Sequence, residues 1–533
     1  MSSEKRYNAV LEIIDKRLIP NEIAKKARGE VFTPLTLVRE MLFGLRKSAL
    51  NEGVTEVWGV DDSGQCIEDD ESNRVGGISL EVWRDPSTKW LDPANGIGNF
   101  PVVAFYMLDY QLGKHGPAKF RGDVNKVARR KHIVENMLFM IELNKGNINT
   151  SRRIFEQLVP GTDANICCAD SLTMTDAKLM DVFSVNRFDV VMGNPPFNQG
   201  GTKHHSERGF YTFFITWGFN VLAKKGKLVF VHPPNFHRID KDNPSKGLVI
   251  KALFNKNNIT FLRILGNYFK DVQVLSDYYI LEKTANTGDS TIVDAHNILT
   301  ENIDMTLFST VPNFGFKLIK KLELLQKIHG NFVAKIGRDS EKHTSRIQLF
   351  KEGVYPIVHL INTDGIRILL STTKHSHQNT PKIIINGLGV PYILDDTDGK
   401  YGVSQIPIFI LNPSKKEYIF LFSRLFQYLN WAFRIQGNNN DLFLFDILPD
   451  FNKLNFNTET EMYSALKLNK EDISEIFNNV YHNGFKVPEF EHVDKIEKVG
   501  EGKAPKPKTE KKPRKAAASA KGVSRRTHKR IHH

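Results

Sequence analysis

Between residues 89 and 232 five short apolar runs occur: "KWLD" (89–92), "LFMIEL" (138–143), "NICCAD" (165–170), "FDVVMG" (188–193) and "KLVFVH" (227–232). They alternate with helix-patterned stretches at 99–113, 125–136, 145–157 and 208–223. Strands that return through helices are disposed to pair in parallel, with helices on both faces of the sheet. The alternation therefore predicts an α/β, Rossmann-like doubly wound domain. Two later runs, "TFLRIL" (260–265) and "DYYILEK" (277–283), have no long helix between them and are expected to finish the sheet as a pair.

The residues at the strand ends narrow the chemistry. "NPPF" comes directly after the fourth run, and proline cannot donate to a sheet ladder, so the tetrapeptide must lie just beyond the strand's carboxyl end. An exocyclic amine on a base is a poor nucleophile because its lone pair is delocalised into the ring. The Asn194 side-chain oxygen and the Pro195 carbonyl each suit one N–H of such an amine, and Pro195 and Pro196 hold that backbone rigid. Phe197 offers a face on which a planar substrate can stack.

Each of the first three runs has an acid at its end or one residue before it. Asp92 leads into "DPANGIGNF", where Ala94, Gly96 and Gly98 form a turn that lets a ligand approach the backbone. No glycine stands at the third dinucleotide position and no Lys-Ser/Thr follows, which argues against a phosphate loop. Glu142 is placed to accept both hydroxyl hydrogens of a ribose, and Asp170 to accept from an adenine amino group. Either acid would serve equally as a helix cap. Three acids on one sheet edge, where open α/β folds bind ligands, favour a site.

The rest of the chain sets limits. The net charge of +13 is uneven: residues 501–533 carry 12 Lys or Arg against two Glu, leaving +3 for the other 500 residues. That tail has too little apolar surface to fold alone and is expected to be disordered. Three cysteines (Cys66, Cys167 and Cys168) allow no disulfide framework or four-cysteine zinc site, and the adjacent pair is expected to act as small buried hydrophobes. No apolar run reaches membrane-spanning length and the amino terminus lacks the shape of a signal peptide, so an intracellular protein without membrane contact is expected. Residues 5–19 read as an amphipathic helix, and 50–88 as an inserted hairpin or surface loop. "TANTGDST" (284–291) marks a boundary, beyond which a second, α+β domain is expected. The expected units are 1–27, 28–290, 291–500 and the tail 501–533.

With these motifs in place, the chain resembles S-adenosylmethionine-dependent DNA methyltransferases that modify exocyclic amines. The likeness is to the gamma-type adenine-N6 enzymes of restriction–modification systems, and it covers roughly residues 28–283. It implies that Thr33, in "GEVFTP", contacts the methionine part of the cofactor. It further implies that Asp92, Ala94, Gly96, Gly98, Glu142 and Asp170 also bind the cofactor, and that Asn194 to Phe197 form the catalytic tetrapeptide. The family also has an aromatic before the last sheet strand that packs on a flipped-out base; Phe269 sits there, with Tyr268 beside it. Cofactor motifs ahead of "NPPF", with a large domain after it, imply S-adenosylmethionine as cofactor, double-stranded DNA as partner and a carboxyl-terminal domain that recognises the target. Two polar stretches, 371–382 and 434–441, suit base-edge contacts or solvated loops. About 27 residues precede "RGEVFTP", short for a nuclease domain, so a cognate restriction endonuclease is expected to be separate. The same tetrapeptide chemistry would serve cytosine N4, guanine N2 of RNA or a protein glutamine.

Overall fold

The computed structural model describes residues 33–60, 70–197, 209–237, 253–269, 274–308, 310–338, 354–362, 365–434 and 442–482. The helix expected at 5–19, Cys66, residues 435–441 and the basic tail lie outside them.

Nine strands form the central sheet. In chain order they are β1 (Trp90–Asp92), β2 (Leu138–Glu142), β3 (Asn165–Cys168), β4 (Phe188–Gly193), β5 (Leu222–His232), β6 (Asn257–Phe269), β7 (Val274–Ala285), β8 (Ser290–Val293) and β9 (Leu299–Ile303). Their spatial order is β9-β8-β6-β7-β5-β4-β1-β2-β3. β1 pairs in parallel with both β2 and β4, β2 with β3, and β4 with β5. β7 is antiparallel to both β5 and β6. The two late runs therefore do pair with each other, and β7 lies inside β6. Strand order reverses between β1 and β4, so the first and fourth strands end side by side at the crevice where such sheets take ligands.

Successive residues of the central strands enter opposite cores, as a pleat of period two requires. Trp90, Leu138, Met140, Val190 and Met192 join one core. That core is covered by α1 (Leu35–Phe43), α2 (Asn99–His115) and α3 (Lys145–Leu158). Leu91, Phe139, Ile141 and Val191 join the other. There they meet α4 (Asp176–Phe183) and α5 (Tyr211–Val221). Burial on both faces is why these strands read as unbroken apolar runs.

Three details differ from expectation. The sheet does not stop at 290: β8 pairs in parallel with β6 and β9 closes the edge at Ile303. The described residues of the stretch 50–88 include two anchors in the core and are not all laid on the surface. Trp58 and Trp83 are buried, and their indole N–H groups donate to Asp70 O at 3.1 Å and Ile78 O at 3.0 Å. Few apolar residues mark that stretch, but two are tryptophans, and each buries a large area. Finally, Cys168 is exposed and Cys167 only half-buried, because β3 is the sheet's outer strand.

Beyond β9 the chain is α+β. Helix α6 (Phe316–His329) leads to a four-stranded antiparallel sheet ordered Lys335–Arg338, Ile408–Leu411, Lys382–Ile385, Ile393–Asp396. A three-stranded sheet built on Tyr355–Asn362 packs against it through Val358, Ile361, Ile384 and Phe409. Helices Lys415–Leu421 and Arg424–Ala432 follow. Among the described residues no helix is long and apolar enough to cross a membrane.

Candidate active site

The carboxyl ends of β1, β2, β3 and β4 bring the acids and "NPPF" to one edge. Asp92 is 1% exposed and accepts from the Ala94 N–H at 3.0 Å. Burial pushes its carboxyl up to about 8, the Ala94 bond opposes this, and the neighbouring Glu142 adds to it. Gly193, the last residue of β4, comes so close that a Cβ there would lie 3.0 Å from Asp92 Oδ1. Only glycine tolerates that approach at φ +157°. The "NPPF" tetrapeptide thus starts one residue after this close approach to the end of β1.

Glu142 ties the turn after β1 to the end of β2. Its Oε2 accepts from Gly96 N and its Oε1 from Asn144 N, both at 2.7 Å. A carboxylate offers about four acceptor positions, so ribose hydroxyls can still be bound. Gly96 and Gly98 have φ of +55° and +104°, and a Cβ on Gly98 would meet Ser151 Oγ at 3.1 Å. Asp170 is exposed and caps a 3-10 turn by accepting from Leu172 N at 3.0 Å. The next residue, Ser171, donates to the Pro93 carbonyl and draws this turn to the glycine turn. Asp170 therefore takes the cap reading, and its carboxylate stays exposed at the sheet's edge.

Thr33, 3% exposed, precedes α1 and is held at the start of α2, where Asn99 Nδ2 donates to its carbonyl at 2.8 Å. A buried network fixes α1 to the far side of the sheet. Glu40 Oε1 accepts from Arg263 Nε at 3.2 Å and from Tyr278 OH at 3.1 Å.

Asn194 is half-buried, Pro195 buried, and Phe197 half-buried. The Phe197 ring lies 6.4 Å from Phe269, with an interplanar angle of 75°. Residues 197 and 269 are 72 positions apart in sequence, yet their rings form one corner. Phe269 is buried and Tyr268, beside it, is exposed. The two aromatics left open by the sequence thus separate into an inner ring and an outer one.

Two residues went unnoticed in the sequence. Tyr211, the first residue of α5, sits edge-on to Phe197 at 6.5 Å and stacks on His232 at 4.7 Å. His232 ends β5 and is fully buried. Its Nδ1 lies 2.8 Å from the Pro233 carbonyl, which can only accept, so Nδ1 carries the proton. Nε2 then accepts from Tyr279 OH at 3.1 Å. The available signal was "HPP", a second strand-end diproline parallel to "NPP".

Burial pushes the His232 imidazole down to about 4, with the Pro233 bond opposing and His237 assisting. The unfolded chain takes up this proton near 6.5, whereas the folded one resists until about 4. Stability is therefore lost as pH falls through that window. Between about pH 7 and pH 5 the loss amounts to about 2 kcal/mol. Denaturant titrations should show a shallower decline for His232→Gln; parallel declines would place the acid sensitivity elsewhere.

The doubly wound order and the acid-tipped strand ends give an open α/β sheet with one ligand crevice at its carboxyl edge. Residues 123–270 match the Eco57I restriction-modification methylase family model. Among solved structures, the chain is similar to the Type IIL restriction-modification enzyme MmeI in complex with DNA. The identity is 11% over 89% of this chain and 78% of that one, with a TM-score of 0.51. It also matches a modification subunit assigned to a type I restriction enzyme from Vibrio vulnificus YJ016, at 18% identity over 55% of this chain and a TM-score of 0.35. The type I EcoKI M protein matches at 16% identity over 40% of this chain and 46% of that one, TM-score 0.31. The chain spans about half the length (52%) of the Vibrio protein. No curated protein matches by sequence.

The residues present would fit S-adenosylmethionine. The Gly98 cradle would be filled by a Cβ, and Glu142 and Asp170 offer acceptors at successive strand ends.

Proposed function

We propose that the protein is a site-specific DNA methyltransferase that methylates N6 of an adenine flipped out of duplex DNA. The observation that supports this reading is the close approach of Gly193 to Asp92, which brings the residue before Asn194 to the strand end from which the glycine turn starts. When bound, S-adenosylmethionine would supply a methyl group on a sulfonium, leaving S-adenosylhomocysteine, and the methylated amine would release one N–H proton to solvent.

Thr33 and the turn from Asp92 to Gly98 hold the cofactor's methionine part, Glu142 its ribose and Asp170 its adenine. Asn194 Oδ1 and the Pro195 carbonyl accept the two N–H groups of the target amine. Those bonds favour a more tetrahedral nitrogen and localise its lone pair for attack. The amine must come within about 3 Å of Asn194, which a stacked and paired base cannot do. Phe197 and Phe269 grip the extruded ring and offset part of the unstacking cost. The sheet unit, which runs on to Ile303, supplies the catalysis, and the α+β region after it the target recognition.

Adenine is favoured over cytosine because the tetrapeptide begins with Asn; cytosine-N4 relatives more often carry Ser there. DNA from cells expressing the chain, digested to nucleosides and analysed by mass spectrometry, should contain N6-methyladenine. N4-methylcytosine would overturn the base assignment. Methylation confined to RNA or protein would overturn the function.

A further inference from the structure

Asn99 is the first residue of α2, 5% exposed, and its two polar atoms differ in their use. Nδ2 donates to the Thr33 carbonyl at 2.8 Å. Oδ1 is buried and has no hydrogen-bond partner among the described residues. A buried acceptor without a donor is costly, and a site that retains one is suited to a donor brought by a ligand. The surroundings say what else that ligand carries. Helix α2 runs for 17 residues, and no side chain caps its amino terminus. Its N-cap is Gly98, at φ +104°, which leaves the first turn open to close approach. The positive end of a helix favours a carboxylate. A carbonyl oxygen beside it favours a group rich in N–H donors. Ammonium and carboxylate on neighbouring atoms are the two ends of an α-amino acid.

We propose that Asn99 is the clasp for the amino-acid end of the cofactor. Its Oδ1 accepts from the α-ammonium while its Nδ2 keeps Thr33 against the helix start. One side chain thus joins the segment ahead of α1 to the glycine turn, and the ligand completes its hydrogen bonding. The inference rests on the methyltransferase reading above, and deepens it by assigning the contact made by one end of the ligand.

Two ligands separate the possibilities by calorimetry: S-adenosylhomocysteine, which keeps the amino-acid end, and 5′-methylthioadenosine, which lacks it. Asn99→Ala should weaken the first roughly tenfold or more, as loss of a charge-assisted bond implies, and leave the second within about twofold. Equal weakening of both, or of neither, overturns the clasp. Asn99→Asp keeps an acceptor at this position and gives up the donor to Thr33. It should hold S-adenosylhomocysteine more tightly, relative to methylthioadenosine, than the alanine variant does. If the alanine variant does not fold, as judged by its melting transition, the aspartate variant decides alone. Its ratio of the two affinities should then be no lower than that of the wild type, and a ratio that falls overturns the clasp. A wild-type chain that binds neither ligand overturns the methyltransferase reading itself, and the clasp with it.

Discussion

Asn194→Ala should lower methyl transfer by about a hundredfold or more while leaving cofactor affinity nearly unchanged. Removing one preorganised acceptor or donor at a reacting centre costs on this scale because nothing reorganises to replace it. Asn194 is suited to this role by its neighbours. Gly193 lies against the Asp92 carboxylate, Pro195 is buried, and the Phe197 carbonyl accepts from Phe210 N at 3.0 Å. The tetrapeptide is therefore held at both ends, and an alanine at 194 leaves its backbone in place. Single-turnover rates set beside calorimetric affinities check the split. A variant that keeps more than half the wild-type rate would remove Asn194 from the chemistry.

Glu142→Ala should weaken cofactor binding by at least tenfold. Two ribose bonds to a charged acceptor contribute roughly 1.5–3 kcal/mol each. The alanine also releases the Gly96 and Asn144 amides, each held at 2.7 Å, so the glycine turn loosens with it. Glu142→Gln keeps one acceptor oxygen and should fall between the two. An unchanged dissociation constant would move the ribose to another acid. Asp109 is a poor substitute, since Arg129 and Arg130 each hold one of its oxygens at 2.6 Å. Asp123 follows the far end of α2, at the opposite edge of the sheet from Glu142.

The strands, the acids at their tips and the diproline were legible because each is local: an apolar run, then a polar or rigid residue. The late pair β6 and β7 was legible for the same reason. Strand order was not, since it depends on pairings between residues far apart in sequence, such as Leu91 with Val191. The burial of Trp58 and Trp83 was missed because an aperiodic, acidic stretch hides two large anchors. His232 and Asn99 were missed for a different reason. A histidine or asparagine has no fixed role in a sequence, and only the Tyr211 ring and the Thr33 carbonyl reveal what each one holds. The edge of the sheet at Ile303 went unseen because "TANTGDST" is a tight turn between β7 and β8, and a tight turn reads like a linker.

That continuation of the sheet bears on how such an enzyme could change its target. Phe188, Ile215 and Ile292 share one uninterrupted core with Phe316, Leu322, Phe426 and Leu429. Among the described residues, the part after 290 is thus no cassette to be traded whole between relatives, because each exchange would have to refit a common interior. The three-stranded sheet has a small core of its own, with Val358, Ile361, Tyr401 and Val403 at its centre. Substitutions there leave the larger interior untouched, so that lobe is where a lineage has the most freedom to diversify.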